Sequence, residues 1–454
     1  MNKRRIVEVI FLPLIICSAF IFCTAMAMLL YPETFYKFFS ATQLVRDIPP
    51  QLPHKSYYWD VEHYAKLALS PSCNAFYPLW PFIIRIVFHP QSIEQAAHYF
   101  SVVATALFFL GTFLLFWVFQ IGLQRVDLAF WLVLAYSVNP MAIFRVIGYT
   151  ESLFAFLSTL FIWICLPKLK LNENLKLCLI FVITFLMALT RPVLIQILFS
   201  AITSLGTIFY FQSLLKARFT HHNLLAIFTK YISEIKTTIT ICVSALLGYS
   251  IYGNLCLITR GDFFASFHDQ KLWGKKLGLH LELLLTPKSP LFDLLGLYLP
   301  AIILFLAVAL VYFKLIRHDF YIFMPQSQLW NLLLIYPPLL ILLYIFNYIR
   351  YQKQAKLTKL AINKYIYTLR KNYIFWFCIY FSFIHSVIIF FTQDRLFSLA
   401  RFIFAVPFFF MATGYLYCCF SGKKAYTILF CFILISAIAL FEQWINYGQD
   451  RWLG

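Results

Sequence analysis

The sequence predicts an all-α polytopic membrane protein, and three observations predict it. The 454 residues are 62% hydrophobic and only 12% charged, whereas soluble proteins average about 25% charged residues. Mean hydropathy is +0.79. Several apolar runs reach the ~20 residues needed to cross a ~30 Å hydrocarbon core. A β-barrel would show short alternating strands instead of long continuous runs.

The elements follow in chain order. Met1-Asn2-Lys3-Arg4-Arg5 precedes an apolar run over residues 6–30. That run exceeds the ~7–15 residues of a signal-peptide core and lacks a small-residue cleavage site. It reads as a retained first span with a cytoplasmic N-terminus. Further apolar segments fall near 100–121, 128–144, 153–166, 177–189, 193–215, 237–258, 291–313, 329–346, 373–391, 402–420 and 426–441. The set predicts about 11–13 transmembrane helices. There is neither an internal repeat nor a soluble domain, so residues 1–454 read as one membrane domain.

Charge orients the spans. Basic loops at 124–125, 167–176, 216–236, 314–318 and 350–371 belong in the cytoplasm by the positive-inside bias. The last carries Lys353, Lys356, Lys359, Lys364, Arg370 and Lys371 without an acidic residue. Two cytoplasmic loops flank the segment at 329–346, so an even number of crossings must lie between them. Pro337-Pro338 removes two backbone donors there, which suits a re-entrant hairpin. The net charge of +19 thus suits anionic headgroups rather than nucleic acid.

The opposite face receives a large first non-cytoplasmic loop (31–98), the turns at 145–151 and 190–192, a second loop at 259–290, and 393–401. Of eleven cysteines, most lie inside apolar spans as small hydrophobes. Cys73, in the first loop, is expected to pack rather than to serve in redox chemistry. No Cys/His spacing suggests a metal.

Five constellations on that face bear chemistry. Ionisable groups near a bilayer are costly to keep, so each is a candidate site. In Trp59-Asp60-Val61-Glu62-His63-Tyr64, Asp60 and His63 share a helical face while Glu62 points elsewhere. Asp60 reads either as a helix N-cap or as a general base for a hydroxyl. Ala75-Phe76-Tyr77-Pro78-Leu79-Trp80-Pro81 is rigid and aromatic, as membrane interfaces favour. Arg145, Gly148, Tyr149, Glu151 and Ser152 offer an ion pair at a helix mouth, or a carboxylate placed at a helix N-terminus. Residues 261–274, with Asp262, Gln270 and Trp273, mix aromatic faces and polar groups as sugar sites do; an interfacial helix has the same composition. Arg395 and Arg401, with Arg191 from another loop, suit phosphate oxygens or snorkelling at helix ends.

This ordered set resembles the PIG-V family, the second mannosyltransferase of glycosylphosphatidylinositol (GPI) assembly, and its prokaryotic relatives. The matching elements are Trp59-Asp60 with His63, the 75–81 motif, Asn139-Pro140 leading to Tyr149-Thr150-Glu151-Ser152, Gly261-Asp262 with Gln270 and Trp273, and Ser398-Leu399-Ala400-Arg401-Phe402. The interval 69–74 departs from the family, which commonly carries Gly-Tyr and a further Glu there.

The resemblance implies a GT-C-type glycosyltransferase fold. It implies a polyprenyl or dolichyl phosphomannose donor, a glycolipid acceptor and inverting transfer on the lumenal or external face, with no cofactor. A small membrane subunit is a further expected partner. Asp60 maps onto the family's base, with His63 and Glu62 beside it. Arg401, Arg395, Arg191, Glu151, Tyr149, Asp262, Gln270 and Trp273 are expected to bind substrates. The membrane would be the endoplasmic reticulum in a eukaryote and the plasma membrane in a bacterium. The rival reading is a polytopic transporter or lipid flippase, which predicts internal symmetry and polar groups near the bilayer midplane.

Overall fold

The computed structural model describes residues 7–42, 59–169, 171–215, 229–273, 275–284, 291–315, 321–323, 357–359, 365–393, 395–396, 398–420 and 423–451. After a short π-helical turn the chain forms α1 (Leu12–Leu30), α2 (Pro32–Thr42), α3 (Asp60–Leu69), α4 (Leu79–Phe88) and α5 (Ile93–Leu123). It continues through α6 (Val126–Ser137), α7 (Glu151–Cys165), α8 (Glu173–Thr190), α9 (Leu194–Leu215) and α10 (Ile232–Arg260). The last part holds α11 (Leu291–Leu315), α12 (Tyr373–Thr392), α13 (Leu399–Phe404), α14 (Phe408–Tyr417) and α15 (Lys423–Gly448). Among the described residues, eight helices are long and apolar enough to cross a membrane. This is an all-α, multi-pass membrane protein.

The local chemistry explains the helix ends. Ser92 caps α5 by accepting the Gln95 amide, which satisfies one of the four orphan donors of a helix start. Asn372 caps α12 by accepting the Phe375 amide. The 31 residues of α5 reach roughly 46 Å at 1.5 Å per residue, so this helix extends past the hydrocarbon.

Two predicted spans differ from expectation, and both differences build the site. The segment at 128–144 stops at Ser137, because Asn139-Pro140 opens a 3₁₀ helix over Pro140–Arg145. The segment at 402–420 breaks into α13 and α14. Pro407 lies at that break, where the missing proline N–H interrupts no ladder.

Burial grades the helices. In α12, 67% of the span window is buried, against 28% for the first and last spans. So α12 is central, packed by α9, α11 and α14, with Phe375, Trp376, Phe377 and Phe381 in its core. The first and last spans pack on each other and turn apolar side chains outward. Phe22, Leu29, Phe305 and Ile438 are each more than 60% exposed, which costs nothing against lipid tails.

Contacts join the two ends of the chain. Thr34 donates to the Trp444 carbonyl at 3.1 Å, and Lys37 pairs with Asp450. The end of α15 therefore sits on the face reached by the end of α1. Tyr321–Phe323 (β1) pairs antiparallel with Leu357–Lys359 (β2), Tyr321 opposite Lys359. The residues flanking 324–356 thus meet on one side, as two cytoplasmic loops require. The predicted segment at 329–346, with Pro337-Pro338, lies outside the described residues.

Candidate functional site

The expected chemistry gathers at one end of the bundle, and four motifs build it. Trp59 precedes α3 with φ 54°, so it occupies the cap position and Asp60 becomes the first helical residue. The alternative of a capping aspartate is therefore not realised. Asp60 turns inward, and Arg401 donates to its Oδ2 through Nη2 at 2.7 Å. Both residues are about 9% exposed.

The 75–81 motif locks this helix to the next. Trp80 is fully buried and its indole donates to the Gly148 carbonyl at 3.0 Å. Gly148 has φ +93°, and a Cβ there would meet Phe100 and the Ser101 backbone at 3.1–3.3 Å. Only glycine fits such a conformation without strain. The turn delivers Tyr149, Thr150 and Glu151 to the start of α7. Glu151 is completely buried, and it forms ion pairs with Arg191 Nη2 at 3.2 Å and with Arg401 Nε. The Thr150 hydroxyl donates toward Glu151 Oε2 at 3.4 Å and lies 3.3 Å from the Tyr64 hydroxyl. The Tyr149 ring stands 4.9 Å from the Arg401 guanidinium.

Asn139 and Asp293 hold the helix that carries Arg401. The Asn139 amide donates to the Phe404 carbonyl at 3.2 Å, and the Tyr136 hydroxyl to the Ala405 carbonyl at 3.0 Å. Ser398 takes φ 59° and opens α13. Asp293, from α11, accepts the Ala400 amide at 2.7 Å. A carboxylate at a helix N-terminus is favoured by the dipole. Sequence reasoning missed Asp293, whose place at the head of an apolar run reads equally as a span boundary.

A covalent staple fixes the first loop. Cys73 and Cys256 form a disulfide with Cα atoms 5.1 Å apart, which corrects the expected packing role of Cys73. The sequence separation of 183 residues hid the pairing. Tyr252, one turn back on α10, places its hydroxyl 2.7 and 2.8 Å from the Asn74 and Phe76 carbonyls. Disulfides persist in oxidising compartments, which agrees with the non-cytoplasmic placement expected for this face.

The assembled residues line an open cavity of about 130 Å³. Its wall includes Asp60, Tyr64, Arg191, Gln270, Lys275, Gln393 and Arg401. Other expected residues lie elsewhere. Glu62 is partly exposed and pairs with Lys66 at 2.7 Å. His63 stacks on Phe76 at 4.8 Å, and among the described lining residues its helix contributes Asp60 and Tyr64 instead. Arg395 is exposed. Asp262 organises its own loop by accepting the Phe264 amide at 2.9 Å and meeting His268 Nδ1 at 2.7 Å. That contact with His268 holds the Asp262 carboxyl below its ordinary range. Trp273 ends the 3₁₀ helix Asp269–Trp273, and its side chain lies outside the described residues.

Lys275 was also missed. A lysine pair, Lys275-Lys276, on a non-cytoplasmic loop runs against the positive-inside bias, and that was the available signal. Among the described residues no group of three or more His, Cys, Asp or Glu side chains is placed to hold a metal ion. No protein-family model matches the chain, and no curated protein or solved structure matches it.

Proposed function

We propose that the chain is an integral-membrane mannosyltransferase of GT-C type. It would move a sugar from a polyprenyl or dolichyl phosphate donor to a glycolipid acceptor such as a GPI precursor, on the lumenal or external face. The observation that carries this reading is Asp60, a buried carboxylate on the wall of the cavity. Arg401 engages Oδ2, which leaves Oδ1 for an acceptor hydroxyl. Glu151 and Arg191 stand behind Arg401 and fix the guanidinium plane.

In the proposed reaction, Asp60 takes the proton of the acceptor hydroxyl as its oxygen attacks the anomeric carbon. The bond from that carbon to the donor phosphate oxygen breaks, and configuration inverts. The lipid phosphate leaves as an anion, so no general acid is needed; fixed positive charge stabilises it instead. The apolar lipid-facing helices suit the polyprenyl tail. Glu62 and His63 take no bond-making role in this scheme.

The test is Asp60→Asn in purified, folded protein supplied with labelled polyprenyl phosphomannose and a glycolipid acceptor. Transfer should fall by about 10²–10⁴-fold, the usual contribution of a general base. Retained transfer would remove Asp60 as the base. Product formed in detergent, where there are no two compartments, also separates this reading from a transporter or flippase.

A further inference from the structure

The two arginines of the cavity are already committed to carboxylates. Arg401 is shared between Asp60 and Glu151, and Arg191 faces Glu151. These four side chains cancel in charge. Lys275 lies on the same cavity wall, and its ammonium donates to the neutral Gln270 amide oxygen at 2.6 Å. Among the described residues no carboxylate pairs with Lys275. The cavity therefore holds one net positive charge, on a partly buried lysine, a state that an anion would favour.

The surrounding structure is built to keep Lys275 there. The Lys276 amide donates to the Thr392 carbonyl at 2.8 Å, and the Gly278 amide to the Phe391 carbonyl at 2.9 Å. These bonds pin the loop to the end of α12. Gln393, the next residue, is 4% exposed, and its Oε1 has no hydrogen-bond partner among the described residues. The Gln393 oxygen, an acceptor, adds no contact for an anion; the Lys275 ammonium, without a counter-ion, faces the cavity.

We propose that Lys275 forms the contact for a ligand phosphate in this cavity, rather than the arginine pair. This rests on the proposed transferase reading and deepens it: Arg401 serves the base, and Lys275 takes the leaving group. Burial, then the neighbouring Arg401 and Arg191, lower Lys275 to about 8. The groups that face it are Arg191, Arg401, His385, Asp60, Glu151, Tyr64 and Tyr77. A phosphate would favour the charged lysine, so affinity should fall as pH rises through about 8. The phosphate monoester, with its second pKa near 6, is already dianionic there.

The experiment measures binding of farnesyl phosphate, farnesol and inorganic phosphate to the full chain in detergent, with no sugar donor present. Lys275→Gln should weaken farnesyl phosphate by roughly ten- to a hundredfold, as loss of a charged hydrogen bond does. Farnesol should be unaffected, and Lys275→Arg should keep affinity while losing the fall near pH 8. Equal farnesyl phosphate affinity in the wild type and folded Lys275→Gln would overturn the proposal. Lys275-dependent binding, together with no transfer by the wild type in the separate assay with labelled polyprenyl phosphomannose, would keep the phosphate site and remove the transferase reading. Inorganic phosphate binding as tightly as farnesyl phosphate, with the same dependence on Lys275, would support the site and assign it to free phosphate.

Discussion

Arg145 and Arg401 are both buried arginines, 2% and 9% exposed, and they stand in opposite electrostatic settings. Arg145 donates to the Tyr136 carbonyl at 2.5 Å. Its guanidinium lies 3.7 Å from the Tyr136 ring and 5.0 Å from Phe108. Among the described residues no carboxylate pairs with it. Arg401 has two carboxylates and a cavity. Burial alone therefore does not mark a site here. An aromatic box with a backbone carbonyl holds Arg145, whereas opposed carboxylates beside open volume hold Arg401.

The largest effect that tests this contrast is Arg401→Met. Asp60 and Glu151 would then face each other with one cation fewer, and breaking a buried pair costs about 3–5 kcal/mol. Thermal unfolding in detergent should show that loss, and transfer by the surviving folded protein should be absent. Next comes the joint change Cys73→Ser and Cys256→Ser, expected to cost about 2–5 kcal/mol. Thiol labelling of the wild type with and without reductant checks the bond itself, since labelling should rise by two sites on reduction. Arg145→Met should cost about 1–3 kcal/mol, because only neutral partners are left unmet. It should leave transfer per folded molecule unchanged; a fall like that of Arg401→Met would erase the distinction between the two arginines. The smallest effect belongs to Glu62→Gln. Its exposed pair with Lys66 is worth less than about 1 kcal/mol, and both melting temperature and transfer should stay near wild type.

Much of the architecture was legible because apolar runs and basic loops obey the physics of the bilayer. The positions of α8 to α12 follow the hydropathy of the chain closely. Legibility failed where hydropathy continued across a break. Asn139-Pro140 and Val406-Pro407 sit in apolar sequence, so the 3₁₀ turn and the split helix read as continuous spans. The gathering of Asp60, Glu151, Arg191 and Arg401 was readable as membership of one face, but their pairing was not. Helical spacing favoured His63 as the companion of Asp60, whereas the fold supplies Arg401 from far along the chain. Glu62 and Arg395 were indistinguishable from these by residue type, and only burial separates them. Asp293 and Lys275 depend on backbone placement that no local pattern encodes.

The bond between Asp60 and Arg401 joins residues 341 positions apart, and this has a consequence for biogenesis. Chains are made from the N-terminus, and early segments fold before later ones emerge. Asp60 and Glu151 must wait in the membrane until most of the protein has been synthesised before Arg401 reaches them. The disulfide closes midway, once residue 256 has crossed, and holds the first loop in place for that late arrival. A chain that ends before residue 401 thus leaves Asp60 without its cation, while Glu151 keeps only Arg191. Termination between residues 256 and 401 would leave a stapled first loop whose Asp60 lacks its cation, a defect of charge that precedes any question of activity.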